Sequence, residues 1–175
     1  MSIKDITVVI TSFKSGQIIK NCLNSIDRDC KVILVENSGD LDFKKKIEQE
    51  FANVECILTG ENLGYGKANN IGLKKVTSKY ALILNPDTIL QSDTIKNFFE
   101  ATKRVPKFAI IAPFVQEEKD ENKKINTDTS NPIQVKNVKG FAMFLNISEF
   151  QQIGFFDENF FFYFEEIDLC KRLID

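Results

Sequence analysis

The chain has 175 residues, which is typical of one domain that can bury a substantial core. Its 43% hydrophobic and 27% charged residues are ordinary for a globular protein, and a net charge of −2 without a long basic stripe disfavours nucleic acid as a partner. No apolar run approaches the ~18 residues of a transmembrane helix, and the start "MSIKDITVVITSF" has too short an apolar run for a signal peptide.

The first half of the chain alternates apolar runs with segments of helical periodicity. The apolar runs predict buried strands at 6–11, 31–37, 54–59 and 80–84. The periodic segments predict helices over 18–26, 41–51, 66–76 and 92–102. This order predicts an α/β fold with a doubly wound, mostly parallel sheet.

Some individual positions follow from these helix patterns. In the second helix we expect Leu41, Ile47 and Phe51 to face the core. In the fourth, Ser92 is the expected N-cap.

The second half has a different pattern, from which we expect a small antiparallel part of the sheet. Strands are predicted over 108–115 and 138–146, separated by a polar surface loop or hairpin tip over 116–132. A short helix should begin at a Ser148 cap and end at Gly154. A last helix should bury one face, formed by Ile167, Cys170, Leu173 and Ile174.

Polar clusters follow each of the first four predicted strands. They are Thr11-Ser12-Phe13, Glu36-Asn37-Ser38-Gly39, "GENLGYGKANN" (60–70) and Asn85-Pro86-Asp87. Taken one at a time, the first two are ordinary turn chemistry, and the third lacks the GxGxxG pattern of a dinucleotide site. Taken together they lie at one edge of the predicted sheet, where ligands of such folds bind.

The stretch "LILNPDTIL" leaves two interpretations of Asp87 open. A carboxylate off the end of a buried strand suits Mg²⁺ or Mn²⁺, which bind oxygen ligands together with substrate phosphates. The alternative is that Asp87 caps the following helix. Pro86 disfavours the helical conformation at Asn85 and so keeps the strand extended to its end.

A second acidic cluster, Glu165, Glu166 and Asp168, begins the last predicted helix. Acidic residues in a first turn favour the helix dipole, which is a purely structural explanation. The preceding aromatic run, 160–164, should pack against the sheet and hold the carboxylates still, and a carboxylate beside an apolar wall has a raised pKa, as a general base requires. Residues two apart on a helix point in different directions, so Glu166 and Asp168 cannot share one role.

Histidine is absent from the chain, which restricts the chemistry available to a catalytic or metal site. Acid–base or metal chemistry must use carboxylates, hydroxyls, lysines or thiols. The four cysteines are widely spaced and form no CxxC pair, which indicates core residues of a reduced, cytosolic protein.

Five motifs, in order, resemble the family 2 glycosyltransferases with a GT-A fold, particularly the rhamnosyltransferase-like branch that builds bacterial surface polysaccharides. They are "VVITSF", "ILVENSG", "ENLGYGKANN", "LILNPDT" and "GFFDENFFFYFEEIDLCKRL", and they extend from Val8 to Leu173. The resemblance implies an inverting, metal-dependent transfer of sugar from a nucleotide-sugar donor, a UDP- or dTDP-sugar, to a glycan or lipid-linked acceptor.

The resemblance also implies roles for individual residues. The expected donor-binding residues are Thr11, Ser12, Phe13, Glu36, Asn37, Asn62, Gly64, Lys67, Asn70, Asn85 and Asp87. Asp87 would bind the divalent metal, Mg²⁺ or Mn²⁺, on the diphosphate. Glu165 and Glu166 would stand at the family's Glu-Asp motif, whose second residue is the base, with Asp168 as the rival candidate.

At the level of the whole chain, the resemblance implies a single domain over 1–175. Residues 1–104 would form the nucleotide-sugar-binding half and residues 105–175 the acceptor and catalytic-base half. We expect a cytoplasmic location and leave open a peripheral membrane contact at the inner face of the membrane. The aromatic run has two interpretations, core packing or an apolar wall facing a lipid-linked acceptor or membrane.

Three departures from the family pattern keep other functions open. Glu166 replaces the usual Asp, no histidine can supply a further metal ligand, and the sequence stops inside a helical pattern where relatives continue. We therefore expect a catalytic core fragment, and a catalytically silent nucleotide-sugar-binding module is the main alternative. A nucleotidyltransferase is a weaker one, since no Gly- and Arg-rich phosphate loop follows the first strand.

Overall fold

The computed structural model describes residues 2–115 and 131–174, and six strands in this part of the chain form one sheet. The strands are β1 (Ile6–Ser12), β2 (Lys31–Glu36), β3 (Val54–Leu58), β4 (Tyr80–Leu84), β5 (Ile110–Ile111) and β6 (Ala142–Asn146). Their order is β3-β2-β1-β4-β6-β5. The first four are parallel to one another, and β6 runs antiparallel to both β4 and β5. The predicted mostly parallel sheet with a small antiparallel part is confirmed.

Helices cover both faces of this sheet. They are α1 (Gly16–Asn24), α2 (Leu41–Glu50), α3 (Tyr65–Leu73), α4 (Thr94–Arg104), α5 (Phe150–Ile153) and α6 (Glu165–Ile174). Short 3₁₀ turns at Ile3–Asp5 and Ile147–Glu149 precede β1 and α5. Among these helices and turns, none in the described part of the chain is both long and apolar enough to cross a bilayer.

Strand alternation divides the core into two layers. Val8 and Ile10 of β1 face the layer packed by α1, α2 and α4. Val9, between them, faces the opposite layer, where Leu73 of α3 and Leu169 of α6 are buried. Because β1 is buried on both faces along its whole length, it has no polar alternation, as expected of a central parallel strand.

Several local predictions are corrected by the structure. Leu41 is 61% exposed because it opens the first turn of α2, whereas Ile47 and Phe51 are buried as expected. Ser92 does not cap α4, since Asp93 occupies the N-cap position and makes no side-chain cap bond.

The second half needs similar corrections. The strand expected over 108–115 is only Ile110–Ile111, because only these two residues pair with β6. Ser148 lies inside the 3₁₀ turn and bonds to Asn146, so it does not cap α5, although Gly154 ends that helix with φ of 76°. Of the loop predicted over 116–132, residues 116–130 lie outside the described residues.

The buried face of α6 also differs from the predicted one. Leu169 and Cys170 are buried, Leu173 is half-buried, and Ile167 and Ile174 are 41% and 61% exposed. The buried face of α6 is therefore rotated about the helix axis relative to the face that the apolar spacing predicts.

The expectation that the aromatic run packs against the sheet is wrong for most of its length. Phe161, Phe162, Tyr163 and Phe164 are 57–67% exposed, and only Phe160 is half-buried. The sheet's aromatic core lies elsewhere, around Phe144 of β6, whose ring stacks on that of Phe98 with a centroid distance of 5.0 Å.

The close approach of α3 to the sheet gives a test of this packing. A Cβ on Gly72 would lie 2.6 Å from Cγ1 of Val9 and 3.2 Å from Cγ2 of Val35. An exposed helical Gly→Ala change gains up to about 1 kcal/mol, but here overpacking should make Gly72→Ala lose about 1–3 kcal/mol in the free energy of unfolding. Urea denaturation measures this, and Val9→Ala should partly rescue the variant. A Gly72→Ala protein as stable as wild type would contradict the close packing.

Candidate functional site

The register of the parallel strands brings polar strand ends together. Ser12 at the end of β1 pairs with Glu36 at the end of β2, and Ile10 pairs with Leu84 at the end of β4. The chain after β4 therefore leaves the sheet beside the end of β1. This is the edge at which open α/β sheets bind ligands.

Glu36 connects the ends of β1 and β2. It is 1% exposed, and its carboxylate accepts hydrogen bonds from the Ser12 hydroxyl, the Ser38 hydroxyl at 2.8 Å and the Lys14 N–H at 3.1 Å. A buried charge needs such partners to offset its desolvation. Glu36 is thus held rigidly, with most of its acceptor capacity used inside the protein.

Thr11 and Phe13 lie on either side of the buried Ser12, and only Phe13 is exposed. The Thr11 side chain is 7% exposed, and its Oγ1 has no hydrogen-bond partner among the residues that the structure describes. Phe13 is 47% exposed. The end of β1 therefore has one buried, unpaired hydroxyl and one exposed aromatic ring.

Asn37 holds the loop that follows β3. Its Nδ2 donates to the Gly64 carbonyl at 2.9 Å, and its Oδ1 accepts from the Leu63 N–H at 3.1 Å. The exposed Asn62 accepts from the Gly64 N–H at 3.1 Å, which closes a local turn. These bonds fix the loop against β2.

Gly64 is where this loop meets the aromatic run. It has φ of 83°, which favours glycine, and a Cβ there would overlap the carbonyl oxygen of Phe161. The same carbonyl accepts a hydrogen bond from the Tyr65 N–H at 3.0 Å. The glycine is therefore required for the contact between the start of α3 and residue 161.

Asn70 and Lys67, both predicted donor-binding residues, lie in different surroundings on α3. Asn70 is 4% exposed and bonds the backbone of Phe156 twice, at 2.9 and 3.0 Å, and Glu158 at 3.1 Å. Lys67 is exposed on the first turn. Asn70 therefore joins α3 to the segment before α6, while Lys67 faces solvent.

Asp87 is exposed at the third position of a turn closed by the Thr88 N–H and the Asn85 carbonyl, 3.1 Å apart. The helix-cap interpretation is wrong, because α4 begins only at Thr94.

The charge of Asp87 acts on the buried Cys22 thiol. Burial, with a smaller effect of the Asp87 charge, raises the pKa of this thiol to about 12, so the thiol is neutral at physiological pH. The described residues hold no group of three or more His, Cys, Asp or Glu side chains that could bind a metal.

The three carboxylates of α6 have different surroundings. Glu165 is 4% exposed, and its Oε2 has no hydrogen-bond partner among the described residues. Burial, with a smaller effect of the Glu166 charge, raises the pKa of Glu165. Asp168 is paired with Arg172 at 2.8 Å, and Arg172 also donates to the Phe155 carbonyl at 2.6 Å.

Glu166 is the remaining carboxylate on this helix. It is half-buried, and its side chain covers Gly140, where an added Cβ would lie 3.8 Å from the Glu166 Cδ. No side-chain hydrogen bond of Glu166 is found within residues 2–115 and 131–174. It is the one α6 carboxylate that is both accessible and uncommitted in this region.

Tyr65 is a site residue that the sequence reasoning missed. Its hydroxyl donates to the Gly140 carbonyl at 2.7 Å, and burial with the nearby Glu165 charge raises its pKa. Tyr65 thus supports the backbone on which Glu166 rests. Its position inside "LGYGKANN" is visible in the sequence, but a contact spanning 75 residues is not.

An open depression of about 380 Å³ lies at the other end of the sheet. Its lining residues are Asp29, Lys31, Ala52, Asn53, Val54 and Glu55. Lys31 and Val54 begin β2 and β3, so this depression is at the amino ends of the strands. It is separate from the polar strand ends described above.

Comparisons with known proteins agree with the fold and the motifs. The family model described as Glycosyl transferase family 2 matches residues 7–170. The low-salt glycan biosynthesis hexosyltransferase Agl10 of Haloferax volcanii is 26% identical over 96% of this chain, and the chain spans 61% of that protein's length. Rhamnosyltransferase WbbL of Escherichia coli K12 is 28% identical over 95% of this chain, and the chain spans 75% of that protein's length.

A solved structure supports the GT-A fold class. The mannosyltransferase PcManGT from Pyrobaculum calidifontis, in complex with GDP-Man and Mn²⁺, superposes with a TM-score of 0.72 at 17% identity. The likeness covers 89% of this chain and 48% of that one. At this identity it shows a shared fold.

The contact between Gly64 and Phe161 can be tested with a matched pair of variants. Gly64→Ala should lose about 1–3 kcal/mol from the unfavourable φ alone, plus the cost of displacing residue 161. Gly60→Ala has nearly the same φ, 82°, but its Cβ would meet nothing within 4 Å. Urea denaturation should therefore show a larger loss for Gly64→Ala, and equal losses would contradict the close contact.

The buried Glu165 carboxyl predicts a pH-dependent stability. Its folded pKa lies above the unfolded value of about 4.3. Below that value both states keep the proton, and as pH rises the unfolded state releases it first, so stability falls until the folded pKa is passed. The Glu165→Gln variant has no carboxyl group at this position, so its stability should not show this fall with pH.

Urea midpoints are measured in steps from about pH 4, near the unfolded pKa, to about pH 8. The midpoint of Glu165→Gln minus that of wild type should grow with pH. Glu61→Gln, which changes an exposed loop carboxylate, is the control and should show no such growth. A Glu165→Gln difference that is constant with pH would contradict the assignment.

Proposed function

The chain belongs to glycosyl transferase family 2, and from this premise we propose that it transfers a sugar from a nucleotide-sugar donor to a glycan or lipid-linked acceptor, with inversion at the anomeric carbon and with a divalent metal. The donor would be a UDP- or dTDP-sugar and the setting bacterial surface polysaccharide synthesis. The reaction would take place in the cytoplasm or at the inner face of the membrane.

The observation that carries this proposal is the different state of the three α6 carboxylates. A general base must accept a proton from a substrate hydroxyl within hydrogen-bond reach. Glu165 is buried and Asp168 is paired with Arg172, whereas Glu166 is accessible and uncommitted among the described residues. This supports Glu166 as the base, although the family usually has Asp there.

On the donor side, we propose that the end of β1 holds the base of the nucleotide. Phe13 offers an exposed ring for stacking, and the buried Thr11 hydroxyl behind it has no partner among the described residues. Glu36 is buried and already accepts three bonds, so its contribution would be to hold Ser12 and the Lys14 backbone in place. Asn37, Asn62 and Gly64 would shape the loop along the nucleotide.

Two further α3 residues would act on the donor in different ways. The exposed Lys67 would meet the diphosphate or sugar directly. Asn70, whose amide is committed to Phe156 and Glu158, would act by holding the acceptor half against the donor half.

The divalent metal fits this site only together with the donor. Asp87 is an exposed carboxylate at the end of a rigid turn, and Asn85 precedes it by two residues. Mg²⁺ and Mn²⁺ are commonly held by one or two carboxylates plus substrate phosphates, so one protein carboxylate is sufficient for such a site. When bound, the metal would neutralise charge on the leaving diphosphate.

In the transfer, the protein would position the two substrates and accept a proton. The acceptor hydroxyl would attack the anomeric carbon, the bond from that carbon to the diphosphate oxygen would break, and Glu166 would take the hydroxyl proton. Tyr65 would keep Glu166 aligned through Gly140. Residues 1–104 would bind the donor, and residues 105–175 would supply the base and the acceptor side.

The experiment combines calorimetry with a transfer assay. UDP, dTDP and GDP, and then their sugars, are titrated with and without Mn²⁺. We expect at least one nucleotide to bind more tightly with Mn²⁺, and Asp87→Asn to lose the metal-dependent part. Glu166→Gln should keep donor binding but lower donor hydrolysis or transfer about 10²–10⁴-fold.

Three outcomes would change the proposal. Failure of all three nucleotides to bind, with and without metal, would remove the nucleotide-sugar function altogether. Donor binding without hydrolysis or transfer in wild type would favour the silent binding module. A rate lost in Asp168→Asn but kept in Glu166→Gln would move the base to Asp168.

A further inference from the structure

Two side chains near the end of α1 contact the loop that carries Asp87. This loop begins at Asn85, directly after β4, and extends to Leu90; we call it the NPD loop. The Cys22 thiol donates to the Asn85 carbonyl, with Sγ and O 3.7 Å apart, and the Ser25 hydroxyl accepts the Leu90 N–H at 3.0 Å. Helix α1 therefore contacts both the first and the last residue of the NPD loop.

Ser25 is oriented for this contact by its own helix. It is the half-buried C-cap residue of α1, and its hydroxyl donates to the Cys22 carbonyl at 2.6 Å. With its proton used there, the oxygen is left to act as an acceptor. Leu90 lies outside the helices and strands, because α4 begins only at Thr94, so its N–H needs a partner that secondary structure does not supply. Ser25 supplies that partner from a fixed position.

Strand β6 holds the other end of the NPD loop. The Asn85 N–H donates to the Phe141 carbonyl at 2.9 Å, and the Thr88 hydroxyl reaches the same carbonyl at 3.4 Å. The far end of the loop is held by the Ser25 bond and by the half-buried Leu90 side chain, which packs against the core. The exposed carboxylate of the loop thus lies between an anchor on β6 and an anchor on α1.

A carboxylate that binds a metal from a loop must be kept in place. Mg²⁺ requires near-ideal octahedral geometry, and a mobile loop would lose conformational entropy each time a cation bound. We propose that Ser25 is a positioning residue for the divalent cation: it holds the end of the NPD loop so that the Asp87 carboxylate is already placed when metal and diphosphate arrive. This inference rests on the proposed function and extends it to a residue outside the polar strand ends.

The Ser25→Ala variant tests this role by calorimetry. UDP, dTDP and GDP are each titrated with and without Mn²⁺, in wild type and in the variant. The loss of one hydrogen bond should weaken the Mn²⁺-dependent binding about 3- to 10-fold. Binding without metal should be unchanged, because the end of β1 leads into the opposite end of α1. A merely structural role of Ser25 would not separate these two affinities.

Ser78→Ala is the matched control. Ser78 is also half-buried, and its hydroxyl also makes two hydrogen bonds, to the Tyr80 carbonyl and the Thr7 hydroxyl, both at 2.8 Å. Ser78 precedes β4 and therefore lies at the amino ends of the strands, away from the NPD loop. Ser78→Ala should keep the wild-type affinities with and without Mn²⁺.

Amide hydrogen exchange reads the NPD loop directly. It is followed by NMR on the protein without nucleotide or metal. In Ser25→Ala the Leu90 amide loses its partner, and its exchange should accelerate at least about threefold. Ser78→Ala should leave this exchange unchanged, and urea midpoints check that both variants are folded.

Three results would overturn the inference, and they differ in what they say of the proposed function. Equal Mn²⁺-dependent binding in wild type and Ser25→Ala would show that the metal site does not need Ser25, and an equal loss in Ser78→Ala would show a general effect of stability. In both cases wild type binds nucleotide with Mn²⁺, so the proposed function stands. If wild type shows no Mn²⁺-dependent binding, the metal part of the proposed function fails and the positioning role fails with it.

Discussion

The backbone contact between Gly64 and Phe161 is the constraint on which the rest of the site depends. It joins the loop after β3, in the proposed donor half, to the segment that leads into α6. Asn70 adds a second connection through the backbone of Phe156, and Tyr65 a third through Gly140. One helix, α3, therefore sets the position of the α6 carboxylates relative to the loop after β3.

Buried hydrogen bonds also fix the backbone at the other end of the site, where β1 and β2 end. Glu36 is buried in a place where its charge would be costly, and three donors from the ends of β1 and β2 offset that cost. The result is a rigid edge beside which the Phe13 ring is exposed, while the Thr11 hydroxyl is buried without a partner among the described residues.

Much of this architecture could be predicted from sequence because its signals are local. Four apolar runs, separated by segments of helical periodicity, predict strands β1 to β4. Polar residues after each run indicate the edge of the sheet where a ligand is expected. The predictions that failed depend on distant contacts. Ser92 is a favoured N-cap residue, but in the folded chain the N-cap position is occupied by Asp93. The aromatic run 161–164 is apolar in composition yet exposed, and its backbone is held at Phe161 by Gly64 and Tyr65. Tyr65 was missed for the same reason: only the folded chain brings it to Gly140.

The position of β4 in the sheet has a consequence for how the protein folds. Its two neighbours are β1, from the beginning of the chain, and β6, which the chain reaches some sixty residues later. The start of the turn that carries Asp87 is fixed by the later partner, since the Asn85 N–H donates to the Phe141 carbonyl at 2.9 Å. On the ribosome, β4 can pair with β1 early but stays an open edge until residues 141–146 emerge. The proposed metal ligand is therefore encoded in the first half of the chain and fully immobilised only by the second.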